Sequence, residues 1–404
     1  MIWAVLAWAL AVPTIAIVGI FVIETLCGLA PLSEADASAP DLAPDLAIEL
    51  AVIVPAHNEA THLARSLAAL AAVLPAGAHI LVVADNCTDD TARLARDSGV
   101  AVVERTDPER RGKGFALAFA RDALTANPPA AIVVIDADCT PASGTLAALA
   151  AAAVRQGRPV QAVNLLRTAP DAPPMVQISS FAFLVKNLIR QRGSARIAGV
   201  GILGGTGMAM PWHLFAEAPL ASDDIVEDLS LGIWATRWGY PPRLIEGARV
   251  ESDAAAGRDT LGQRARWEHG FLQTARAHAL PLIADGIGKR NRAMFWLGLH
   301  LCVPPLALLI AATTGVLAVL AVLIALGAPV APFAALASAG GLAALAIVLA
   351  WLKEGRAVLS AGALVQAPLY VLWKLPIYFK LLIGGRSGWR RTPRAGEGSD
   401  GTPG

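Results

Sequence analysis

Charged residues are scarce in this chain of 404 residues: they make up 16% of it, while hydrophobic residues make up 55%. About a quarter of the residues of a typical soluble domain are charged, so the composition excludes an ordinary soluble protein. Positive and negative charges nearly cancel, leaving a net charge of +1. The chain as a whole therefore lacks the excess positive charge that attracts nucleic acids.

Cysteine is also rare, and its positions do not suggest a zinc site. The four cysteines, Cys27, Cys87, Cys139 and Cys302, are too widely separated to match the usual spacings of metal ligands. Such a small number fits a reduced cytoplasmic domain better than a disulfide scaffold. We interpret Cys87 and Cys139, which lie next to polar clusters, as packing residues.

The apolar residues are concentrated in three stretches, at 1–23, 293–352 and 357–383. A run of about 20 apolar residues is long enough to cross a bilayer. The first stretch lacks a positively charged start and a clear cleavage site, so we interpret it as an anchor rather than a secretory signal. The polar region 24–292 is long enough for one globular domain held between membrane segments.

The composition divides the chain into five predicted parts. They are an N-terminal transmembrane anchor (1–30), a linker (31–48), a water-facing α/β domain (49–292), transmembrane or interfacial helices (293–385) and a basic tail that we expect to be disordered (386–404). Basic residues flank the second and third apolar stretches, and such residues favour the cytoplasmic side of a membrane. We therefore expect the domain to lie in the cytoplasm, attached to the inner membrane.

The number of membrane crossings after the domain stays open. A break at 327–332 predicts two crossings within the second apolar stretch. The third stretch is interrupted by Pro368 and Pro376 and carries Lys374 and Lys380. It could therefore be partly interfacial or re-entrant rather than one straight span, and both three and four helices after the domain fit the pattern.

Short apolar runs alternate with helical patterns in the polar region. Strands are predicted at 50–54, 79–84, 100–103 and 131–135, with a further one at 159–166. Because no hairpin signals separate these runs, we expect an α/β fold with a mostly parallel sheet covered by helices on both faces. In such sheets the ligand binds beyond the carboxyl ends of the strands.

Polar clusters follow the predicted strands at these ends. Asp136 and Asp138 come directly after the strand at 131–135. Carboxylates at this spacing are suited to Mg²⁺, which takes oxygen ligands and often binds substrate phosphates as well. A polar turn produces the same pattern by chance, but the segments 55–59 and 85–91 are polar clusters at the ends of two other strands. Their agreement favours a site over a turn.

Two further motifs occur in the second half of the domain. Glu227 and Asp228 form an acidic pair between apolar residues, and Gln263, Arg266 and Trp267 precede the second apolar stretch. Taken alone, the acidic pair could be an exposed helix start. Arg266 and Trp267 could equally be membrane-interface residues, since tryptophan favours that region.

In this order the motifs resemble those of the processive-type, membrane-bound family-two nucleotide-sugar glycosyltransferases. These enzymes carry the pattern Asp, Asp-x-Asp, Glu-Asp, Gln-x-x-Arg-Trp, and include cellulose, chitin, hyaluronan and poly-N-acetylglucosamine synthases and ceramide glucosyltransferase-like enzymes. The resemblance covers about residues 50–267 and the membrane arrangement. It implies a GT-A, Rossmann-like domain that transfers a sugar from a nucleotide-diphosphate donor, expected to be a UDP-sugar, with inversion.

The resemblance also implies roles for individual residues. Asp85 would contact the uridine of the donor, and Asp136 and Asp138 would bind its diphosphate through Mg²⁺ or Mn²⁺, with Asp138 favoured as the direct ligand. Asp228, preceded by Glu227, would be the catalytic base. Further candidates lie near the nucleotide, at Pro55, His57 and Glu59, and near the diphosphate and acceptor, at Gln263, Arg266 and Trp267. Lys113 could add a positive charge to the phosphates or be a solvated loop lysine.

The acceptor is left open by the sequence. A polysaccharide or lipid-linked acceptor in cell-surface glycan synthesis is the leading interpretation, with other exopolysaccharide-assembly proteins as conceivable partners. A single transfer to a lipid acceptor, of the ceramide glucosyltransferase or polyprenyl-phosphate type, is the alternative. A non-catalytic membrane subunit would not need the full set of acidic positions.

Overall fold

The computed structural model describes residues 1–32, 48–254 and 257–382, without the side chains of 257–264, 377 and 379–382. Most of the predicted linker and the predicted tail at 386–404 lie outside these residues. The strands are β1 (Leu50–Ala56), β2 (Ala78–Asp85), β3 (Ala101–Arg105), β4 (Ala131–Val134), β5 (Cys139–Pro141), β6 (Val160–Arg167), β7 (Met208–Pro211) and β8 (Arg243–Asp253).

Helices pack around this sheet, and further helices precede and follow it along the chain. They are α1 (Ile2–Cys27), α2 (Leu63–Ala71), α3 (Thr91–Asp97), α4 (Lys113–Leu124), α5 (Thr145–Gln156), α6 (Pro174–Leu184), α7 (Gln191–Ala198), α8 (Trp212–Glu217), α9 (Glu227–Arg237), α10 (Gly257–Gly288), α11 (Arg292–Cys302), α12 (Leu306–Ala325), α13 (Ala331–Ala350), α14 (Ala361–Leu364) and α15 (Ala367–Leu382). Two π-helical turns, Val185–Arg190 and Trp351–Gly355, follow α6 and α13.

The eight strands form one sheet in the order β3-β2-β1-β4-β7-β6-β8-β5. The first four are parallel, as the alternating pattern predicts. β7 is antiparallel to both β4 and β6, and β5 is antiparallel to β8. Because β7 runs antiparallel to β4, the loop that leads into β7 lies at the carboxyl end of β4, next to Asp136 and Asp138.

Apolar clusters cover the two faces of the sheet. One face is covered by α2. Leu63, Leu67 and Leu70 share one side of that helix and pack with buried residues of β1 and β4 that point towards it. On the other face Leu117 of α4 and Phe215 of α8 are fully buried against the alternate residues of the same strands. Two-sided burial explains why these strands are continuous apolar runs.

Three described helices are long and apolar enough to cross a membrane: α1, α12 and the continuous segment formed by α13 and its π-helical turn. Gly327 lies between the second and third of these, at the predicted break. The helix α11, although apolar, packs instead with α7, α9 and α10 through a buried cluster that includes Leu229, Phe271 and Leu297. The start of the second apolar stretch thus belongs to the core of the domain.

The C-terminal end of α1 is held to the domain by a buried charge cluster. The carboxylate of Glu24, which is fully buried, accepts hydrogen bonds from Arg190 at 2.8 Å and Trp296 at 3.0 Å, and it lies 2.8 Å from Nδ1 of His300. The helices approach so closely that a Cβ on Gly193 would lie 2.0 Å from the Glu24 carbonyl oxygen. Both features fix α1 at a defined place on the domain.

This close contact predicts that Gly193→Ala weakens the attachment of α1. The added methyl group has to push the two backbones apart, and overpacking of this kind costs about 1–3 kcal/mol. We expect a lower midpoint of thermal unfolding in detergent. The matched control is Gly19→Ala on α1, where nothing lies within 4 Å of the added Cβ; equal midpoints for the two variants would contradict the contact.

Candidate active site

Asp85 is the last residue of β2, and it lies where the carboxyl ends of β1 and β2 meet. Its carboxylate is almost completely buried and accepts hydrogen bonds from Arg105 at 2.7 Å and from Asn86 at 3.0 Å. The backbone carbonyl of Asp85 lies 2.7 Å from Nδ1 of His57, which follows β1. Arg105, at the end of the neighbouring strand β3, therefore orients the first predicted aspartate.

Lys113 begins α4 and reaches the centre of the site. Its ammonium group donates to the carboxylate of Asp136 and, at 2.6 Å, to the carbonyl oxygen of Gly205. Burial disfavours the charged lysine, but the carboxylates of Asp136, Glu227 and Asp228 outweigh burial and raise its pKa. Lys113 is thus a charged part of the site rather than a solvated loop lysine.

Glycine allows α4 to begin so close to the site. Gly112 has a φ of 128°, a conformation that side-chain-bearing residues rarely adopt. A Cβ on Gly114 would lie 2.4 Å from the carbonyl oxygen of Leu220. The segment Arg111-Gly112-Lys113-Gly114 therefore packs its backbone against the loop before α9, and this packing directs Lys113 inwards.

Asp136 and Asp138 lie where β4 ends. The backbone N–H of Asp136 donates to the hydroxyl of Thr206 at 3.1 Å. Gln161 fixes the loop that carries Thr206, because its amide donates to the Thr206 carbonyl and accepts from the Gly204 N–H, both at 2.9 Å. A buried polar network therefore holds the backbone at Asp136, which is not a freely solvated turn.

The same pair is the candidate metal site. Ligand atoms of Asp136, Asp138 and Cys139 all lie within 4.8 Å of one another. Burial raises the pKa of the Cys139 thiol, which donates to Asp138 at 3.3 Å. The two carboxylates are the partners that a hard divalent cation prefers, whereas a protonated thiol is not. The oxygen donors therefore fit Mg²⁺ or Mn²⁺, and Cys139 acts as a packing residue and hydrogen-bond donor.

Glu227 and Asp228 form the first turn of α9 and face the same centre. A Cβ on Gly205 would lie 3.2 Å from Oδ2 of Asp228 and 3.3 Å from Nζ of Lys113, so base candidate and lysine meet at this glycine. Burial raises the pKa of Asp228, and Lys113 acts against that rise. Burial, together with the charge of Asp228, raises the pKa of Glu227 to about 8. The acidic pair is not an exposed helix start.

Arg266 and Trp267 reach the site from α10. The Trp267 ring lies 6.3 Å from the ring of Phe183 on α6, centroid to centroid. Both motif residues are partly buried, and burial lowers the pKa of Arg266. The side chain of Gln263, the remaining member of the motif, lies outside the described part of the chain.

One cavity of about 660 Å³ brings the candidates together. Its lining includes every candidate from the sequence whose side chain is described: Pro55, His57, Glu59, Asp85, Lys113, Asp136, Asp138, Glu227, Asp228, Arg266 and Trp267. The cavity continues towards the membrane helices, where Phe21 of α1, Leu306 of α12 and Tyr370 of α15 line it. The roles of these residues remain predictions, but their proximity is a property of the fold.

Sequence reasoning missed the residues that support this arrangement. Arg105, Gln161 and Thr206 belong to no recognisable motif. The glycines at 204, 205 and 207 were a signal for Thr206, since such a segment lets a backbone approach a ligand or side chain closely. Their significance emerges only once β7 is known to run antiparallel to β4.

A mostly parallel sheet with an acidic cluster at its carboxyl edge, completed by antiparallel β7, defines a GT-A nucleotide-sugar transferase. Residues 47–270 match the family described as glycosyltransferase like family 2. The chain therefore belongs to this family, whose members transfer a sugar from a nucleotide-sugar donor, and it is a glycosyltransferase.

The chain is also similar to solved structures, one of which shares its fold. A mannosyltransferase from Pyrobaculum calidifontis, in complex with GDP-Man and Mn²⁺, is 22% identical, with 91% of this chain and 99% of that chain covered and a TM-score of 0.57. A glucosyl-3-phosphoglycerate synthase from Mycobacterium tuberculosis is 20% identical, with 60% and 83% covered and a TM-score of 0.41. No curated protein matches the chain.

The raised pKa of Glu227 predicts a pH dependence of stability. Its pKa moves from 4.5 to about 8 on folding, so across this window the folded chain keeps a proton that the unfolded chain loses. The free energy of unfolding therefore decreases as the pH rises, by at most about 1.4 kcal/mol per pH unit for one group. Glu227→Gln removes this dependence.

Thermal unfolding of the two proteins at pH 5 and pH 8, with chelator present, measures the effect. We expect Glu227→Gln to gain in unfolding midpoint relative to wild type as the pH rises. A constant difference between the two proteins over this range would contradict a protonated Glu227.

Proposed function

We propose that this chain is an inverting membrane glycosyltransferase that moves a sugar from a nucleotide-diphosphate donor, a UDP-sugar, to an acceptor used in cell-surface glycan synthesis. The observation that carries the proposal is the convergence of Lys113, Asp136 and Asp228 at one point of the cavity. Sugar transfer in a single step requires two groups: a cation that stabilises the diphosphate leaving group, and a carboxylate that accepts the proton of the acceptor hydroxyl.

The donor would lie along the carboxyl ends of β1, β2 and β4. Asp85, oriented by Arg105, would contact the uridine, while Pro55, His57 and Glu59 border the same part of the cavity. Asp136 and Asp138 would hold Mg²⁺ or Mn²⁺, which neutralises a diphosphate leaving group when bound. The Mn²⁺ in the structure of the mannosyltransferase supports this assignment.

Asp228 would be the general base. As the acceptor oxygen bonds to the anomeric carbon, its proton passes to the Asp228 carboxylate, and the bond from that carbon to the diphosphate oxygen breaks. Lys113 supports this role, since it opposes the rise in the pKa of Asp228, and it would lie beside the leaving diphosphate. Arg266 would add a planar donor to the same phosphates, and Trp267 would stack on the acceptor sugar.

The shape of the cavity favours the alternative of a single transfer to a lipid-linked acceptor. Phe21, Leu306 and Tyr370, which belong to α1, α12 and α15, give its far end an apolar part, and Arg190 and Lys374 lie beside two of these rings. An acceptor with a hydroxyl-bearing head near Asp228 and an apolar tail towards these helices would match both ends of the cavity.

We further propose that the domain faces the cytoplasm. Lys289, Arg290 and Arg292 precede α12, and Lys353 and Arg356 follow α13. If α12 and α13 both cross the membrane, the two basic clusters lie on the same side, and the positive-inside tendency makes that side cytoplasmic. Membrane lipids would then be direct neighbours of the cavity end.

The function is tested by supplying radiolabelled UDP-glucose, UDP-N-acetylglucosamine, UDP-galactose and GDP-mannose to the full chain in proteoliposomes made from a bacterial lipid extract. Label recovered in the organic phase supports a lipid-linked acceptor, and label in high-molecular-weight polymer supports a polysaccharide acceptor. Absence of both, together with intact donors, would contradict the proposed function.

Donor binding is expected to depend on a divalent metal bound by Asp138. Titration calorimetry with UDP should show an affinity that falls by about tenfold or more when Mn²⁺ is chelated, because the phosphates lose their counter-charge. Asp138→Asn should reproduce this loss in the presence of Mn²⁺. Equal affinities with and without chelator would remove the metal from the account.

Asp228→Asn should abolish transfer and leave donor binding nearly intact. Loss of a general base typically lowers the rate by about 10² to 10⁴, whereas binding rests on other groups. The rate of transfer and the affinity for UDP with Mn²⁺ are measured on the same preparation. Transfer at the wild-type rate would exclude Asp228 as the base.

A further inference from the structure

The helix α15 carries two different faces along its length. Tyr370, Lys374 and Tyr378 point towards the protein and are buried. Leu369, Leu372 and Trp373 are apolar but exposed, at 62%, 60% and 42% of their surface. Lys374 and Tyr378 follow Tyr370 at intervals of four residues, so these three lie on one side of the helix. Leu372 and Trp373 lie three and four residues after Leu369, so that set also shares one side.

The helix α15 lies beside a candidate membrane-spanning helix. Its inner side packs against the candidate span α12, and Tyr370 and Val371 share a buried cluster with Ala307 and Leu309 of that span. An apolar strip beside membrane-spanning helices is suited to contact with lipid.

The inner face of α15 is joined to the active-site helix α10 by an ion pair. The ammonium group of Lys374 lies 2.5 Å from the carboxylate of Glu268, and the side chain of Lys374 is only 3% exposed. The same ammonium lies 5.2 Å above the Tyr370 ring. The hydroxyl of Tyr378, one turn further along α15, lies next to the same carboxylate.

Glu268 directly follows Arg266 and Trp267 in the sequence, and all three line the cavity. An ion pair at this position restrains the backbone that presents the arginine and the indole ring to substrate. Phe183 contacts the Trp267 ring from α6, so the segment is held from two directions.

We propose that Lys374 is a positioning residue: through Glu268 it holds the Arg266–Trp267 segment against the cavity and couples it to a helix whose outer face contacts the bilayer. The inference rests on the proposed function of Arg266 and Trp267. Without Lys374, the Glu268 carboxylate is left partly buried and uncompensated, a strongly destabilising arrangement, and the segment has to move to bring it to water.

The variants for the test are Lys374→Met, Lys374→Arg and the charge exchange Glu268→Lys with Lys374→Glu, each in the full chain in nanodiscs. Lys353→Met is the control, because Lys353 is an exposed lysine that follows α13. Three quantities are measured: amide hydrogen exchange of residues 265–271, affinity for UDP with Mn²⁺, and transfer from the labelled nucleotide sugars.

Lys374→Met should accelerate exchange in residues 265–271 and lower transfer between about tenfold and a hundredfold, since a misplacement of about 1 Å in an active site can cost about 10²-fold. Its affinity for UDP with Mn²⁺ should fall by less than transfer does, because Asp85 and Asp138 do not depend on α15 and only the phosphate contact proposed for Arg266 is disturbed. Lys374→Arg and the charge exchange should restore slow exchange and most of the transfer, and Lys353→Met should behave as wild type.

Exchange and transfer in Lys374→Met equal to those of Lys353→Met would overturn the proposal. A charge exchange that restores slow exchange but not transfer would also overturn it, because Lys374 would then contact substrate directly. Failure of the proposed function itself is recognised separately, since wild type would then transfer no sugar whatever the exchange data show.

Discussion

The ammonium group of Lys113 is the interaction on which the site depends. It lies between the carboxylates of Asp136, just after β4, and Asp228, at the start of α9, which would repel each other without it. Because the surroundings are buried, these charges interact more strongly than they would in water. Gly112 and Gly114 let α4 begin close to the site, and the carbonyl of Gly205 accepts a hydrogen bond from the ammonium group, which lies beside Asp136 and near Asp228. A substrate diphosphate would meet the same cation, which links the folding of the site to its chemistry.

The second constraint is the position of the cavity between the sheet and the membrane helices. Glu24 fixes the end of α1 to the domain through Arg190, and Phe21, one turn earlier, lines the cavity. Two of the helices that would span the bilayer, α1 and α12, therefore also line the cavity that contains Asp228. Such an arrangement suits an enzyme whose donor is water-soluble and whose acceptor is held by the membrane, since the two substrates would approach from opposite ends.

Sequence patterns predicted the parallel half of the fold and the polar clusters at its strand ends. Apolar runs such as β1 and β4 are long and continuous because both faces are buried, and the acidic residues stand out against them. The glycine segment at 204–207 indicated that a strand follows, but the antiparallel direction of β7 was not predicted, because four residues ending at Pro211 carry no signal of direction. Without β7, Thr206 and Gln161 could not be placed beside Asp136. The role of Lys374 also escaped, since a lysine in an apolar stretch suggests the membrane interface, and its partner Glu268 is over a hundred residues away.

We propose that one base, Asp228, directs a single displacement at the anomeric carbon of the donor. Proton NMR of the purified product gives the configuration of the new glycosidic bond, to be compared with the α-linkage of the sugar in the nucleotide donor. A single displacement predicts a β-linked product from an α-linked donor. An α-linked product would require a second displacement or a different mechanism, and it would contradict the account of this site.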